Sequence, residues 1–278
     1  MDLIWSNNVI NIWGLVMSCE IIAEISSNHS GDMSLAKDMI ASAAENGANY
    51  VKFQTWKVDR LKPGPWDSDG RRKIYENSEL SIDNHWLLKE YCEEKGVSFL
   101  TSCFSLHDLE FIRELTPVVK IPSPECSNKI LVDKAIDIFD RVIMSVGAST
   151  REEYMQYANC KKVWLLHCVS VYPCPYDKVN MQKMIFLKQI TPRYGYSGHA
   201  LGAHDAMMAI ALGAKVVEKH FTTDQTLPFR DNKFSILPED LSVIRSFADS
   251  CEHMWINKGC DFQEEESVVR EQYGRRWQ

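Results

Sequence analysis

The chain lacks any run of the roughly 18 to 20 apolar residues that a membrane helix needs, which excludes an anchor of that kind. It lacks a basic excess: 38 acidic residues face 31 Lys and Arg, a formal charge of -7, which argues against a nucleic-acid surface. Any anion it binds must therefore meet a local cluster of lysines. It has no CxxC pair and no metal-finger spacing among its nine cysteines, so reduced thiols and a cytoplasmic protein are expected. No low-complexity linker divides residues 18–260. The apolar stretch Val-Ile-Asn-Ile-Trp-Gly-Leu-Val-Met at 9–17 follows Asp2 rather than Lys or Arg and precedes no small-residue cleavage site, so it does not read as a secretory signal. Met17 stands just before the first clear strand, and residues 1–17 are read as an N-terminal extension. Residues 261–278 read as a charged C-terminal tail or terminal helix.

What is present between those ends is alternation. Short β-branched or aromatic runs at 20–26, 49–55, 98–104, 118–123, 142–147, 163–170, 193–199 and 215–222 predict eight strands. Segments of helical period at 33–46, 83–95, 106–115, 128–138, 150–158, 180–190, 203–213 and 238–252 fill the gaps. Asp83 and Thr150 are expected N-caps, and Gly47, Gly96 and Gly213 are expected where helices hand over to strands. Eight βα units in about 240 residues predict an α/β fold, the (β/α)8 TIM barrel. The longest loop, 56–82, carries Pro63-Gly64-Pro65 and four basic residues between Lys62 and Lys73, and is expected to cover the active face.

In such a barrel the chemistry sits at the C-terminal strand ends, where residues two apart share a face. Strand two places Lys52 with Gln54, strand eight Glu218 with His220, strand seven Ser197 with His199, and the end of strand six Cys168, Ser170 and Tyr172. Strand one ends near Glu24, strand three near Ser102, and strand four in Lys120, Ser123 and Glu125; the fifth is expected to offer nothing polar. Each residue alone has a plain explanation. A single Lys at a strand end is more often ion-paired or snorkelling, and a single buried His is more often a hydrogen-bonded core residue. His167 fits the core reading, and His85, His107 and His253 read as surface helix residues. The conjunction is different, because an apolar barrel mouth does not gather lysines, carboxylates, imidazoles and serines without ligands to offset their desolvation. Lys52 and Lys120 with Ser102, Ser123 and Ser197 suit an anion of several oxygens, most simply a phosphate. His199 and His220 can meet at one divalent ion whose other positions stay open. Glu24, Glu125 and Asp231 remain as acid, base or sugar-hydroxyl partners.

The runs IIAEISSNHSGD at 21–32, VKFQT at 51–55, TSCFS at 101–105, VKIPSPE at 119–125, LLHCVSVYPCPY at 165–176, GYSGHALG at 195–202 and VEKHFTTD at 217–224 stand in order. Over about 18–252 the chain resembles the sialic acid synthase (N-acetylneuraminate synthase) family. The resemblance implies metal-dependent condensation of phosphoenolpyruvate with an N-acyl hexosamine such as N-acetylmannosamine, with Mn2+ or Mg2+ bound. It implies phosphoenolpyruvate contacts from Lys52, Ser102, Lys120, Ser123, Ser170 and Ser197, metal ligands His199 and His220, and sugar contacts Gln54, Glu125, Tyr172 and Asp231. Glu24 and Glu218 are placed near the reacting centre, with Glu125 assigned to proton management. It also implies a homodimer and a C-terminal antifreeze-like domain, which is expected as a separate chain, as a missing part of this one, or as dispensable for its substrate. The sequence departs from the family at Ser102, Ser170 and Gly198, where Thr, Asn and Asp are usual, and at Pro122-Ser123-Pro124-Glu125, where Gly-Ser-Gly-Glu is usual. Two other readings stand beside it: a related 3-deoxy-2-ulosonic acid phosphate synthase, with Arg71, Arg72 and Lys73 as a second phosphate site, and a catalytically silent sugar-acid-binding barrel.

Overall fold

A computed structural model describes residues 19–277, so the N-terminal extension expected at 1–17 lies outside the described residues. Eight parallel strands close in sequence order: β1 (Glu20–Glu24), β2 (Tyr50–Thr55), β3 (Ser98–Cys103), β4 (Val118–Ile121), β5 (Arg141–Ser145), β6 (Val163–Cys168), β7 (Tyr194–Gly198) and β8 (Val216–His220). β8 pairs back onto β1 through Glu20↔Val216 to Glu24↔His220, which removes every sheet edge and completes the (β/α)8 barrel. Around it run α1 (Met33–Glu45), α2 (Arg71–Ser78), α3 (Ile82–Glu94), α4 (Leu109–Leu115), α5 (Lys129–Ile138), α6 (Arg151–Met155), α7 (Gln182–Ile190), α8 (His204–Ala211), α9 (Pro238–Met254) and α10 (Ser267–Tyr273). None of the described helices is long and apolar enough to cross a membrane.

The local chemistry explains the boundaries. Asp32 caps α1 by accepting from the N–H groups of Ser34 and Leu35, and Glu153 accepts from Thr150 N–H at 2.7 Å at the start of α6. Gly47, Gly96 and Gly213 take φ of 89, 72 and 96°, the left-handed geometry that ends a helix. Asp83 is not a cap: Ser81 is, accepting from Asn84 N–H, and Asp83 lies within the first turn, where a carboxylate faces the positive end of the helix dipole. The loop at 56–82 is folded rather than open, with 3-10 turns at Val58–Arg60 and Pro65–Asp67 before α2. Three of the four basic residues between Lys62 and Lys73 are tied to neighbours: Arg71 to Asp69 at 2.6 Å, Arg72 to Asp67 at 2.5 Å, and Lys73 to Glu76 at 3.6 Å.

Inside the barrel the lower tier is apolar. Ile22, Leu100, Ile143, Leu166 and Val216 are fully buried against one another, with Tyr50, Val118 and Trp164 beneath. A far larger core fills the space between strands and helices, as expected when both faces of a parallel sheet are covered. His167 belongs to it, its Nε2 2.7 Å from the Val179 carbonyl. His107 and His253 are exposed, but His85 is not. Its ring lies 2.8 Å from Thr55 Oγ1, because the first turn of α3 packs directly on β2 and β3.

Candidate active site

Two residues above the apolar tier, the inward positions become polar. Glu24, Lys52, Ser102, Lys120, Ser145, Cys168, Ser197 and Glu218 form a ring at the C-terminal strand ends, and one cavity opens over them. Lys52 Nζ donates to Ser102 Oγ at 2.8 Å, pairs with Glu24 Oε2, and lies 3.7 Å from Glu218 Oε2. Lys120 Nζ donates to Ser145 Oγ at 2.7 Å and to the Ile121 carbonyl at 2.9 Å. Ser197 Oγ donates to Glu218 Oε1 at 2.8 Å. Nearer the mouth, Gln54 Nε2 donates to Glu24 Oε1 and Ser26 Oγ, and Ser26 Oγ donates to Asp231 Oδ2 at 2.7 Å.

This burial separates the two glutamates. Desolvation raises the Glu24 pKa against the opposing pull of Lys52, and nearby Glu218 raises it further. At Glu218 burial is overcome by Lys120, Lys52 and the Ser197 hydrogen bond, which together hold the carboxyl below its ordinary range. A pair of carboxyls pushed apart in this way offers one proton carrier and one fixed negative charge. Burial likewise lowers Lys120.

The two imidazoles stand at the rim, ring centroids 5.4 Å apart, with Tyr172 4.2 Å from His199 and Phe234 4.9 Å from His220. Burial first, then the neighbouring His220, pushes His199 down to about 3; burial first, then Lys52, does the same to His220. Both are neutral, as metal ligands must be. His199 Nδ1 lies 3.0 Å from the Val169 carbonyl, to which it donates, leaving the Nε2 lone pair free. His220 Nδ1 is buried with no hydrogen-bond partner, 3.8 Å from Asp231 Oδ2.

Twelve of the fourteen expected site residues line this one cavity: Glu24, Lys52, Gln54, Ser102, Lys120, Ser123, Tyr172, Ser197, His199, Glu218, His220 and Asp231. Two do not. Ser170 lies behind Ser123, their hydroxyls 2.7 Å apart. Glu125 closes the 3-10 turn Ser123–Glu125, whose three residues per turn point it away from Ser123, and its carboxylate accepts from Asn128 Nδ2 at 2.9 Å outside the cavity. The fifth strand, expected to contribute nothing, contributes Ser145. Alternation from Ile143 would have found it. Trp56 and Phe104, each just past the last residue of its strand, also line the cavity, with Ser27, Tyr75 and Arg230; these lie beyond strand periodicity and left no signal in the sequence.

The sequence profile described as the NeuB family matches residues 39–258. The chain belongs to the NeuB family. An N,N'-diacetyllegionaminic acid synthase of Campylobacter jejuni is 34% identical over 245 residues, which are 81% of this chain and 73% of the relative. An N-acetylneuraminate-9-phosphate synthase of Drosophila melanogaster is 33% identical over 251 residues, covering 83% of this chain and 67% of the relative. Among solved structures, the N-acetylneuraminic acid (sialic acid) synthetase of Leptospira borgpetersenii in complex with citrate superposes with a TM-score of 0.83 at 28% identity, covering 94% of each chain. This NeuB family barrel thus shares its fold and most of its length with synthases of nine-carbon acidic sugars. Arg71, Arg72 and Lys73, weighed as a second phosphate site, face their own acidic partners and do not line its cavity.

Proposed function

We propose that the chain condenses phosphoenolpyruvate with the open-chain aldehyde of an N-acyl hexosamine of the N-acetylmannosamine type, giving a nonulosonic acid and inorganic phosphate. The observation that carries this reading is the buried ring of two ammonium groups, three serine hydroxyls and two carboxyls of opposed pKa beneath a pair of neutral imidazoles. Two ammonium groups and a row of hydroxyls suit a small polyanion, and the carboxyl pair suits proton transfer beside it.

Among the described residues no group of three or more His, Cys, Asp or Glu side chains is arranged to enclose a metal ion. The donor set nevertheless fits an open divalent site. His199 has its Nδ1 committed to a carbonyl and its other nitrogen free, and His220 Nδ1 is buried and unpartnered. Bound there by His199 and His220, Mn2+ or Mg2+ would supply Lewis acidity toward the aldehyde oxygen.

The chain's own groups account for the rest. Lys52 and Lys120, with Ser102, Ser123, Ser145 and Ser197, hold the carboxylate and phosphate of phosphoenolpyruvate so that its methylene carbon faces the mouth. Gln54, Tyr172 and Asp231 hold sugar hydroxyls there, aligning the aldehyde carbon for C–C bond formation. The methylene carbon gives its electron pair to the aldehyde carbon, and positive charge develops at C2, opposite the fixed negative charge of Glu218. Water adds at C2. The proton it loses passes through the Glu24 carboxyl to the former aldehyde oxygen. The remaining C2 hydroxyl then gives its proton up as C2–O cleavage releases phosphate and leaves the ketone.

The test follows phosphate release from phosphoenolpyruvate with Mn2+ over a panel of N-acyl hexosamines and phosphosugars, with His220→Ala as control. Release with an unphosphorylated N-acyl hexosamine, lost in the variant, is the expected result. Release only with a phosphosugar would move the chain to the related ulosonic acid phosphate synthases. No release with any sugar, while the protein still binds Mn2+, would overturn the reading in favour of a sugar-acid-binding barrel.

A further inference from the structure

Behind the site, between β7, β8 and α8, lies a buried ion pair that the chemistry above does not use. Lys219, fully buried between the site residues Glu218 and His220, points outward from the barrel. Its three N–H bonds are all taken: Asp205 Oδ1 at 2.9 Å, Asp205 Oδ2 at 3.0 Å, and the Ala200 carbonyl at 2.6 Å. Asp205 is equally satisfied, accepting also from Tyr196 OH at 2.9 Å and from Ala206 N–H at 2.9 Å. The cluster therefore joins the His220 strand to the residue that follows His199.

Asp205 belongs to the first turn of α8, yet its carboxylate reaches back into space that β7 leaves empty. A Cβ built on Gly198 would fall 2.4 Å from Asp205 Oδ2 and 2.4 Å from Tyr196 Cε1. Position 198 is where the family resemblance leads one to expect an aspartate. Only a residue without a side chain at 198 leaves room for the carboxylate that arrives from 205.

We propose that Asp205 is a positioning residue for the histidine pair: its carboxylate, lodged in the space a side chain at 198 would fill, anchors Lys219 and through it the turn at His199 and Ala200. Gly198 and Asp205 are then one paired feature, a negative charge supplied from the helix instead of the strand. Asp205 touches neither imidazole. It acts by fixing the backbone that carries them, as outer groups commonly orient metal-binding histidines. The inference rests on the metal reading given above only for its first readout.

The experiment compares the full chain with Asp205→Ala, Gly198→Asp and the double variant, titrating Mn2+ alone and following the free-ion electron paramagnetic resonance signal. Asp205→Ala should weaken Mn2+ binding by about tenfold or more. Gly198→Asp alone, with two carboxylates competing for one space, should also weaken it. The double variant should return to within about threefold of the native affinity, because the charge is restored and Tyr196, freed of its acceptor, can move aside. A merely structural role would lower the melting temperature of Asp205→Ala and leave its Mn2+ affinity unmoved, and that result overturns the proposal. So does a double variant that binds more weakly than Asp205→Ala. If Asp205→Ala does not fold, recovery of folding in the double variant supports the pair, and failure to recover refutes it. Should the native chain bind no Mn2+, the metal reading falls by itself. Urea unfolding of the same variants then decides the pair: relief of the Asp205→Ala loss supports it, and additive losses overturn it.

Discussion

Ser145→Ala tests whether the fifth strand takes part in anion binding. Ser145 Oγ is one of two protein acceptors for the fully buried Lys120 ammonium, at 2.7 Å, the other being the Ile121 carbonyl. Its removal leaves the ammonium with one acceptor and an atom-sized space. A hydrogen bond to a charged group contributes about 1.5 to 3 kcal/mol, and each 1.4 kcal/mol is tenfold, so KM for phosphoenolpyruvate should rise roughly 10- to 150-fold. Because a water can enter the space and replace part of the bond, the lower end of that range is expected. Since Ser145 acts on the bound anion and not on the aldehyde, KM for the sugar should hold within about twofold. Steady-state phosphate release at varied phosphoenolpyruvate measures this directly. In a Lys120→Ala background the same change should have no further effect, because the group it orients is gone. An unchanged phosphoenolpyruvate KM, or an effect that falls on the sugar instead, would refute the assignment.

Other consequences can be checked alongside. Glu125→Gln should turn over within about twofold of the native chain, since its carboxylate is bonded to Asn128 outside the cavity; a loss beyond tenfold would return Glu125 to the reaction. Burial lowers His167 from 6.5 to about 4, so the unfolded chain takes up this proton first as pH falls. The associated stability is present above pH 6.5 and is lost as pH falls from there toward 4, by at most about 3 kcal/mol. His167→Gln should accordingly flatten the fall of melting temperature over that window, and an unchanged slope would contradict it. Gly195→Ala would set a Cβ 2.2 Å from the Val216 carbonyl and 2.6 Å from Leu166 Cδ2 inside the barrel. A cost of about 3 kcal/mol and a fall of about 6 to 12 °C in melting temperature are expected, and a native melt would show that the barrel can give there.

The barrel and most of its mouth were legible because strands impose a strict period of two, so knowing Lys52 was enough to place Gln54, and knowing Glu218 enough to place His220. That rule weakens where the strand stops. β6 ends at Cys168, so extending the alternation to Ser170 and Tyr172 placed the tyrosine in the cavity but not the serine, which turns behind Ser123. β4 ends at Ile121, and Glu125 was lost for the same reason, carried outward by a 3-10 turn. Ser145 shows the opposite failure, since a lone serine between Met144 and Val146 in an apolar strand carries no charge to mark it, and only the inward face it shares with Ile143 brings it into the ring. His85 reads as a helix-surface residue from its polarity alone, although helical period sets it on one face with Leu88 and Cys92, and the docking of α3 beside Thr55 buries that face. The basic loop residues were the least readable, because Arg71 and Arg72 have acidic partners within a few residues on the chain, and proximity in sequence does not say whether a side chain turns to a neighbour or to a ligand.

Five strands pass from dry core to reactive ring in a single side-chain repeat: Ile22 to Glu24, Leu100 to Ser102, Ile143 to Ser145, Leu166 to Cys168, and Val216 to Glu218. Two residues of strand span about 6.6 Å, so the charged tier stands directly on a floor that excludes water. That floor explains why burial comes first among the causes that raise Glu24 and lower Lys120, ahead of any neighbouring charge. Neighbours then decide the outcome for each residue: Lys120 and Lys52 reverse the effect of burial at Glu218, while at Glu24 Lys52 does not. The separation of the two carboxyls, on which proton transfer depends, therefore arises jointly from the apolar tier and from two lysines. A substitution in the floor that admits water acts on the chemistry without touching a ligand: it draws both glutamates back toward ordinary carboxyl behaviour, and the proton carrier is lost with the barrel intact.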